Sequence, residues 1–447
     1  MKLPDQVLQQ EDAELVLIRL KPGEPVSLRC ETVDNEQRLW CSSVTFLPSG
    51  DAISTRLDEA TGSYDGADVG GLYWALQPAQ RDYLSEVLCR HEPLWPQLGP
   101  LEPLVYRVSA RQGELEAEQT LVRHRVAPDV RVTRLGGPIH GLLFEPRDTP
   151  ARGSVLVLGG SEGGVVPGRA AALAAEGFAA LALAYFQYPG LPRSGLNLPL
   201  EYFRSAADWL RQRHSLPLCI WGASRGSEAA MLSAITWPEL FDAVIAWAPS
   251  HLVNTGFEMA AGEDFAAETR AMWTLDSAPV AGVPLAAPDV ERRRRRAEAM
   301  QQPPGYAFRG EFQEVWVAQD QSSPYAIPVN QLRIPMLAVA GEDDRLWPSA
   351  KACRALEQKM ARGCGSFEAV YLADAGHGIG MPNDPRPFSH LMHWSGGYSG
   401  VENGFVHYGG TPQGNAKGAR LAWRKVVEFL GEHLVSQASR HSRRFAP

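Results

Sequence analysis

The stretch LCIWGASRGSEAAMLSAI, residues 218–235, runs from an apolar segment through a G-x-S-x-G motif directly into a helical pattern. Leu218–Trp221 has the composition of a buried strand, and Glu228–Ile235 has that of a helix. A turn this tight between a strand and a helix needs small residues, and it holds its serine at strained backbone angles over the edge of a sheet. The sequence therefore predicts Ser224 as a nucleophile on a strand–turn–helix unit.

A second G-x-S-x-G match, Gly159–Gly163, also follows an apolar segment. After it the chain continues with GVVPG rather than with helical residues, so this turn is looser than the one at Ser224. It ends the first strongly apolar strand, where this arrangement places a loop that binds an oxyanion. We therefore expect backbone N–H groups of Ser161 and Glu162 to form an oxyanion hole together with that of Arg225.

Three acids follow the apolar segment Met336–Ala340, and one of them is expected to orient the base that serves the serine. They are Glu342, Asp343 and Asp344. The position expected for the acid favours Asp344, with Asp343 as the main rival and Glu342 behind it. The structural alternative is an ordinary acidic turn that caps the next helix.

One histidine of the eleven lies where a base is required. His377 has a glycine on each side and follows the predicted strand 367–372, one helix and one strand beyond the acids. His393 and His407 lie in later loops, where a histidine is more often structural. His377 is therefore the predicted base, and it completes the chain order serine, aspartate, histidine.

Apolar segments alternate with helical ones from about residue 128 onwards. This alternation predicts an α/β domain, residues 128–447, with a mostly parallel sheet and helices on both faces. Between about residues 251 and 331 the alternation lapses, and we predict an insertion over the site that acts as a lid, rather than a surface excursion. The predicted strands of this part are Val155–Leu158, Phe178–Tyr185, Leu218–Trp221, Phe241–Trp247, Met336–Ala340 and residues 367–372.

The first 127 residues show short β-rich segments separated by Gly and Pro, with little helical periodicity. This pattern predicts an all-β sandwich, residues 1–127. Its predicted strands are Val26–Val33, Leu39–Leu47, Leu104–Ala110 and Leu115–Val126.

Composition excludes several classes of protein. Of the 447 residues, 45% are hydrophobic and 21% charged, which argues against a disordered or coiled-coil chain. The net charge of -8 argues against a nucleic-acid partner. The six cysteines form no C-x-x-C pair that would suggest zinc. The sequence has neither a G-x-G-x-x-G unit that opens a helix nor a P-loop, and we expect no metal and no other cofactor.

No apolar run approaches the ~18–20 residues of a membrane span, and the N-terminus lacks a secretory pattern. The ending Phe-Ala-Pro differs from a peroxisomal address. A cytoplasmic location is expected.

Several motifs resemble the acyl-CoA thioesterase and bile acid-CoA:amino acid N-acyltransferase family. The resemblance implies an immunoglobulin-like N-terminal domain on an α/β-hydrolase domain, with nucleophile, acid and base at Ser224, Asp344 and His377. The motifs are LKPGEPV (20–26), GSY (62–64), GGLYW (70–74), the Ser224 turn, Gly341–Ser349 and GGTP (409–412).

The resemblance also implies that the substrate is an acyl-CoA or a related small acyl thioester or ester. Bile-acid-conjugating members carry cysteine at the nucleophile position and thioesterases usually carry serine, so Ser224 favours hydrolysis to a free acid and CoA. Acyl transfer to an amino acid or another small acceptor is the nearest alternative. A carboxylesterase acting on a non-CoA ester comes next, because the serine motif does not identify the leaving group. An inactive hydrolase fold that serves binding is a further alternative, which the complete triad opposes.

Two further features favour structural roles. The five arginines Arg292–Arg296 could meet the phosphates of a CoA-like ligand, but a solvated helix face is favoured. Glu228 lies at the start of the helix after the serine, where acids are common for electrostatic reasons.

Overall fold

The structure is a computed structural model of the chain. It describes residues 1–80, 83–84, 87, 101–257, 269–285, 289–319, 323–386, 388–398 and 401–435. Residues 258–268, 286–288 and 320–322 of the predicted insertion, and the ending Phe-Ala-Pro, lie outside the described residues. No helix within the described ranges is long and apolar enough to cross a membrane.

Polar and apolar residues alternate along the N-terminal strands, as half-buried strands require. In Val26–Val33, for example, Val26 and Leu28 are buried whereas Ser27 and Arg29 are exposed. The strands are β1 (Gln6–Leu8), β2 (Val16–Ile18), β3 (Val26–Val33), β4 (Leu39–Phe46), β5 (Ala52–Ser54), β6 (Ala60–Gly62), β7 (Gln77–Pro78), β8 (Leu104–Gln112) and β9 (Leu115–His124).

These strands form a seven-stranded sheet in the order β1-β9-β8-β3-β4-β6, with β7 also paired to β4, and a separate β2-β5 pair. One short helix, α1 (Gly71–Trp74), lies among them. The mostly β character of this region is confirmed, and the predicted bounds of β3, β4, β8 and β9 differ from the observed ones by at most two residues. The immunoglobulin-like arrangement stays a prediction.

The rest of the chain alternates strands with helices. The strands are β10 (Val130–Leu135), β11 (His140–Pro146), β12 (Ser154–Leu158), β13 (Ala179–Ala184), β14 (Leu198–Pro199), β15 (Leu218–Ala223), β16 (Ala243–Trp247), β17 (Trp273–Leu275), β18 (Ala278–Pro279), β19 (Met336–Gly341), β20 (Phe367–Leu372), β21 (Leu391–Tyr398) and β22 (Val401–His407). The helices are α2 (Pro167–Ala175), α3 (Glu201–His214), α4 (Arg225–Thr236), α5 (Val290–Met300), α6 (Arg309–Val317), α7 (Ser349–Met360) and α8 (Pro412–Leu430).

Eight of these strands form one sheet in the order β10-β11-β13-β12-β15-β16-β19-β20. The pairs from β13 to β20 are parallel, and β10 and β11 add an antiparallel edge. Every residue of β12, β13, β15, β16 and β19 is buried, because helices cover both faces of a parallel sheet.

The two faces of the sheet carry separate hydrophobic clusters. In β12, Leu156 and Leu158 belong to the cluster that contains α3, α4 and α7, whereas Val155 and Val157 belong to the one that contains α2 and α8. Successive residues of a strand point to opposite faces, so apolar residues throughout β12 stabilise both layers. With the strand–turn–helix unit that joins β15 to α4, this is an α/β-hydrolase fold, as predicted.

The predicted insertion contains structure that the sequence did not indicate. The strand β17 pairs with β14 on one side and with β18 on the other in a small sheet. The helices α5 and α6 follow, and a 3₁₀ turn lies at Val329–Gln331. The hairpin β21-β22 occupies a region interpreted from the sequence as loops.

Candidate active site

The turn between β15 and α4 holds Ser224 in a strained conformation. Its φ of 51° lies in the left-handed region, which is costly for any residue other than glycine. The Ser224 N–H donates to the carbonyl of Trp247 at 2.8 Å, which fixes the turn to the neighbouring strand β16. A Cβ at Gly226 would lie 2.1 Å from the carbonyl oxygen of Gly159, so only glycine permits this close approach. Ser224 therefore lies just past the carboxyl end of β15, a strand inside the sheet, and at the N-terminus of α4.

An imidazole and a carboxylate line up with the Ser224 hydroxyl. The distance from His377 Nε2 to Ser224 Oγ is 3.0 Å, and from His377 Nδ1 to Asp344 Oδ2 it is 2.8 Å. The His377 side chain is 7% exposed and that of Asp344 is 1% exposed. Trp347 and Tyr408 make edge-to-face contacts with the imidazole, with ring centroids at 5.5 and 5.3 Å. These contacts hold the ring between the serine and the acid.

Backbone groups orient the Asp344 carboxylate. Its Oδ1 accepts the N–H groups of Leu346 at 3.0 Å and Trp347 at 3.2 Å. Because Oδ1 is bound to the backbone, Oδ2 is left to face the imidazole of His377.

The other two acids left open by the sequence point elsewhere. Asp343 binds the backbone N–H of Gly410 at 3.0 Å and the Arg345 guanidinium at 2.6 Å. Glu342 pairs with Arg354. Of the three acids, Asp344 is the one that the structure brings to the imidazole.

The loop after β12 lies against the nucleophile. A Cβ at Gly160 would be 2.9 Å from the Cβ of Ser224. The N–H of Gly160 donates to the Glu162 carboxylate at 2.9 Å, which ties the loop together. The N–H of Arg225 belongs to the first turn of α4, where such groups have no acceptor within the helix. The oxyanion roles of Ser161, Glu162 and Arg225 stay predictions.

A narrow apolar cavity opens beside Ser224. Most of its apolar wall comes from described residues of the predicted insertion, which therefore lie beside Ser224. Movement of the insertion as a lid stays a prediction. The apolar lining residues are Phe257, Val283, Leu285, Phe312, Leu346 and Trp347.

A second, wider cavity also reaches Ser224 and is lined by His377. Its lining includes the charged residues Glu162, Arg169 and Arg386. Arg169 did not emerge from the sequence analysis. The signal that could have found it is a basic residue in the first turn of an alanine-rich helix, where the helix dipole disfavours positive charge.

A buried ion pair joins the nucleophile turn to the insertion. The Arg225 guanidinium lies 2.8 Å from the Glu228 carboxylate and donates to the carbonyls of Asn254 and Thr255. Glu228 also accepts from the Asn254 side chain at 2.9 Å and the Trp273 indole at 3.1 Å. Burial raises the pKa of Glu228, and the guanidinium opposes that shift. The predicted structural role of Glu228 therefore extends to the wall of the apolar cavity.

The run of five arginines lies on α5. Arg294 pairs with acids of its own helix, and Arg292 pairs with Glu314 of α6 at 3.1 Å. Arg296, in contrast, is fully buried and lies 2.9 Å from Glu311. The interpretation as a solvated helix face was wrong for Arg296, because the helix packs that side against α6.

Comparison with known proteins gives matches along most of the chain. A family profile described as "BAAT / Acyl-CoA thioester hydrolase C terminal" matches residues 198–436. Another, described as "Acyl-CoA thioester hydrolase/BAAT N-terminal region", matches residues 10–136. Together they confirm the family resemblance.

Three relatives illustrate the similarity. The acyl-coenzyme A amino acid N-acyltransferase 2 of Rattus norvegicus is 25% identical, with 98% of each chain covered. The acyl-coenzyme A thioesterase 6 of Homo sapiens is 26% identical, covering 97% of this chain and 96% of the relative. The peroxisomal succinyl-coenzyme A thioesterase of Mus musculus is 25% identical, with the same coverage of 97% and 96%.

Proposed function

Because the chain belongs to the family of acyl-CoA thioester hydrolases and bile acid-CoA:amino acid N-acyltransferases, we propose that it hydrolyses acyl-CoA thioesters to the free acid and CoA. The observation that carries the proposal is the line from Ser224 Oγ through the His377 imidazole to Asp344, with contacts of 3.0 and 2.8 Å, beside an apolar cavity. Ser224 is the proposed nucleophile, His377 the base and Asp344 the residue that orients the base.

The acyl chain enters the apolar cavity, where hydrophobic side chains replace water around it. His377 Nε2 takes the proton of Ser224 as Oγ attacks the thioester carbonyl. The positive charge that forms on the imidazole is stabilised by Asp344. The backbone N–H groups of Arg225 and of the Ser161–Glu162 loop hold the oxyanion, and each such donor contributes ~3–4 kcal/mol to the transition state.

When the tetrahedral intermediate collapses, the carbon–sulfur bond breaks and His377 returns the proton to the departing CoA thiolate. Water then enters the wider cavity, where His377 removes its proton as it attacks the acyl ester of Ser224. The second collapse releases the free acid and restores the serine. A serine ester transfers its acyl group to an amine less readily than a thioester does, which favours water as the acceptor.

The test is CoA release from butyryl-CoA and palmitoyl-CoA, measured with a thiol reagent, with and without glycine or taurine. We expect release that is independent of the amine and absent in Ser224→Ala. A fluorophosphonate probe should label wild type and Ser161→Ala, which keeps the loop backbone, but not Ser224→Ala. Labelling without CoA release from any acyl-CoA, but with cleavage of simple esters, would instead indicate a carboxylesterase.

Acyl transfer to an amino acid is the second candidate function. It is favoured by the full-length similarity to an acyl-coenzyme A amino acid N-acyltransferase. The N-acyl product, detected by mass spectrometry, distinguishes this function from hydrolysis. We expect the variant Ser224→Cys to form more of that product than wild type, because its acyl-enzyme is a thioester.

The cellular setting belongs to the same proposal. The net charge of -8 favours a small-molecule substrate over nucleic acid. A cytoplasmic location stays a prediction, which fluorescence microscopy of the tagged full-length protein would test.

A further inference from the structure

We propose that Arg169 forms a subsite for a small carboxylate in the wider cavity beside Ser224. This inference rests on the proposed function and deepens it. The carboxylate belongs either to an incoming amino acid or to the far end of a dicarboxylic acyl group. Both ligands place the same chemical group a few atoms from the reacting carbonyl.

Arg169 is a cation in an unfavourable position. It lies in the first turn of α2, which contains no acidic residue, so the helix dipole disfavours its charge. Burial lowers its pKa to about 10. Within the described part of the chain its guanidinium forms neither an ion pair nor a hydrogen bond. A bound anion would offset all three costs.

Two tryptophans hold the guanidinium in place. Its Cζ lies 5.4 Å from the ring centroid of Trp221 and 5.2 Å from that of Trp247, within the range of a cation–π interaction. Both indole N–H groups are buried and find no acceptor among the described residues. Trp247 also lines the wider cavity. A cation–π contact supplies no oxygen or nitrogen acceptor, so the guanidinium N–H groups still require hydrogen-bond partners.

The charges around Arg169 fit a zwitterion or a small anion. Glu162 and Arg386 line the same cavity, and the carboxylates of Glu162 and Asp384 both act electrostatically on Arg169. The Glu162 carboxylate is engaged by the N–H of Gly160, and it lies where an ammonium group would be attracted. Arg386 adds positive potential for the anion itself.

Because the wider cavity lies beside the reacting groups, it favours a small anion as the ligand of Arg169. It contains His377, so a ligand there lies beside the group that protonates the leaving group and deprotonates the acceptor. The phosphates of CoA are separated from the thioester sulfur by the whole pantetheine arm, whereas the carboxylate of an amino acid or of a short dicarboxylic acyl group lies only a few atoms from the reacting carbonyl. A guanidinium binds a carboxylate through two parallel hydrogen bonds, which suits a small planar anion.

Calorimetric titration with succinate and with glycine tests the subsite directly, because it needs no turnover. We expect binding to wild type and a loss of about 10- to 100-fold in Arg169→Gln, as for a lost charge-assisted hydrogen bond. Arg169→Lys keeps the charge but not the paired geometry, and should lose less. The control Arg204→Gln removes another arginine stacked on a tryptophan, 5.8 Å from Trp237, and should bind like wild type.

Kinetics then identify the source of the carboxylate. A fall in kcat/KM for succinyl-CoA relative to butyryl-CoA in Arg169→Gln assigns it to the acyl group, because the two acyl chains have the same length. A fall in acyl transfer to glycine relative to ethylamine, an amine without a carboxylate, in Arg169→Gln assigns the bound carboxylate to the acceptor. These are ratios within one protein, so partial misfolding does not change them. The subsite is refuted if Arg169→Gln binds both ligands like wild type, or if neither ratio moves. Absence of Ser224-dependent CoA release refutes the proposed hydrolysis instead.

Discussion

The substitution Asp344→Asn should disable the proposed base while leaving its surroundings intact. In the structure Oδ1 accepts two backbone N–H groups, from Leu346 and Trp347, at 3.0 and 3.2 Å. An asparagine keeps these bonds only if its carbonyl oxygen occupies the Oδ1 position. Its NH₂ group then faces His377 Nδ1, where the carboxylate oxygen lies at 2.8 Å in the native protein.

That amide can only donate, so Nδ1 of His377 must become the acceptor and the ring proton moves to Nε2. Nε2 then points its proton at Ser224 Oγ, 3.0 Å away, and cannot remove the serine proton. In serine hydrolases this change of tautomer costs about 10⁴-fold in kcat, or roughly 5.5 kcal/mol of transition-state stabilisation. We expect a loss of about 10³- to 10⁴-fold here, with little change in KM.

The measurement is steady-state release of CoA from butyryl-CoA, with urea unfolding to verify that the variant is folded. The matched control is Asp343→Asn, since that carboxylate binds Gly410 and Arg345 rather than the imidazole. We expect the control to retain most of the activity. The reasoning is refuted if Asp344→Asn keeps more than about a tenth of the wild-type kcat, or if the control loses as much.

Three further predictions concern stability and specificity. Glu228→Gln should lower the free energy of unfolding by about 3–5 kcal/mol, because Arg225 is then left buried without its counter-charge. The control is Glu298, which forms an exposed ion pair with Arg294. Glu298→Gln should lower the free energy of unfolding by at most about 1 kcal/mol, with both variants measured by urea unfolding. Equal costs would contradict this difference. Val283→Ala enlarges the apolar cavity, and it should raise kcat/KM for longer acyl-CoAs relative to shorter ones by about 10-fold. An unchanged dependence of kcat/KM on chain length would count against binding of the acyl chain in this cavity. Burial lowers the pKa values of His251 and His390 to about 4, so both bind fewer protons folded than unfolded. Stability should therefore fall as the pH drops from about 6.5 towards 4, by at most about 1.4 kcal/mol per pH unit and group. Urea unfolding at about pH 7 and pH 5.5 tests this, and equal stabilities would refute it.

Much of the fold could be predicted because its signals are local. The apolar strands that alternate with helices, and the small residues around Ser224, lie within short windows of sequence. The hairpin β21-β22 was missed because its first strand, LMHWSGGY, contains glycines and lacks the alternation of a half-buried strand.

The α/β-hydrolase fold, the β-rich N-terminal region and a short set of candidate residues in the order serine, acid, histidine follow from the amino-acid pattern. Which of two adjacent aspartates faces the imidazole becomes visible in the folded chain, because neighbouring side chains in a turn point in different directions. The folded chain also shows that Arg169 stacks on Trp221 and Trp247, which are far away along the chain. Periodicity reports which face of an element is buried, whereas contacts between distant residues depend on how the elements pack together.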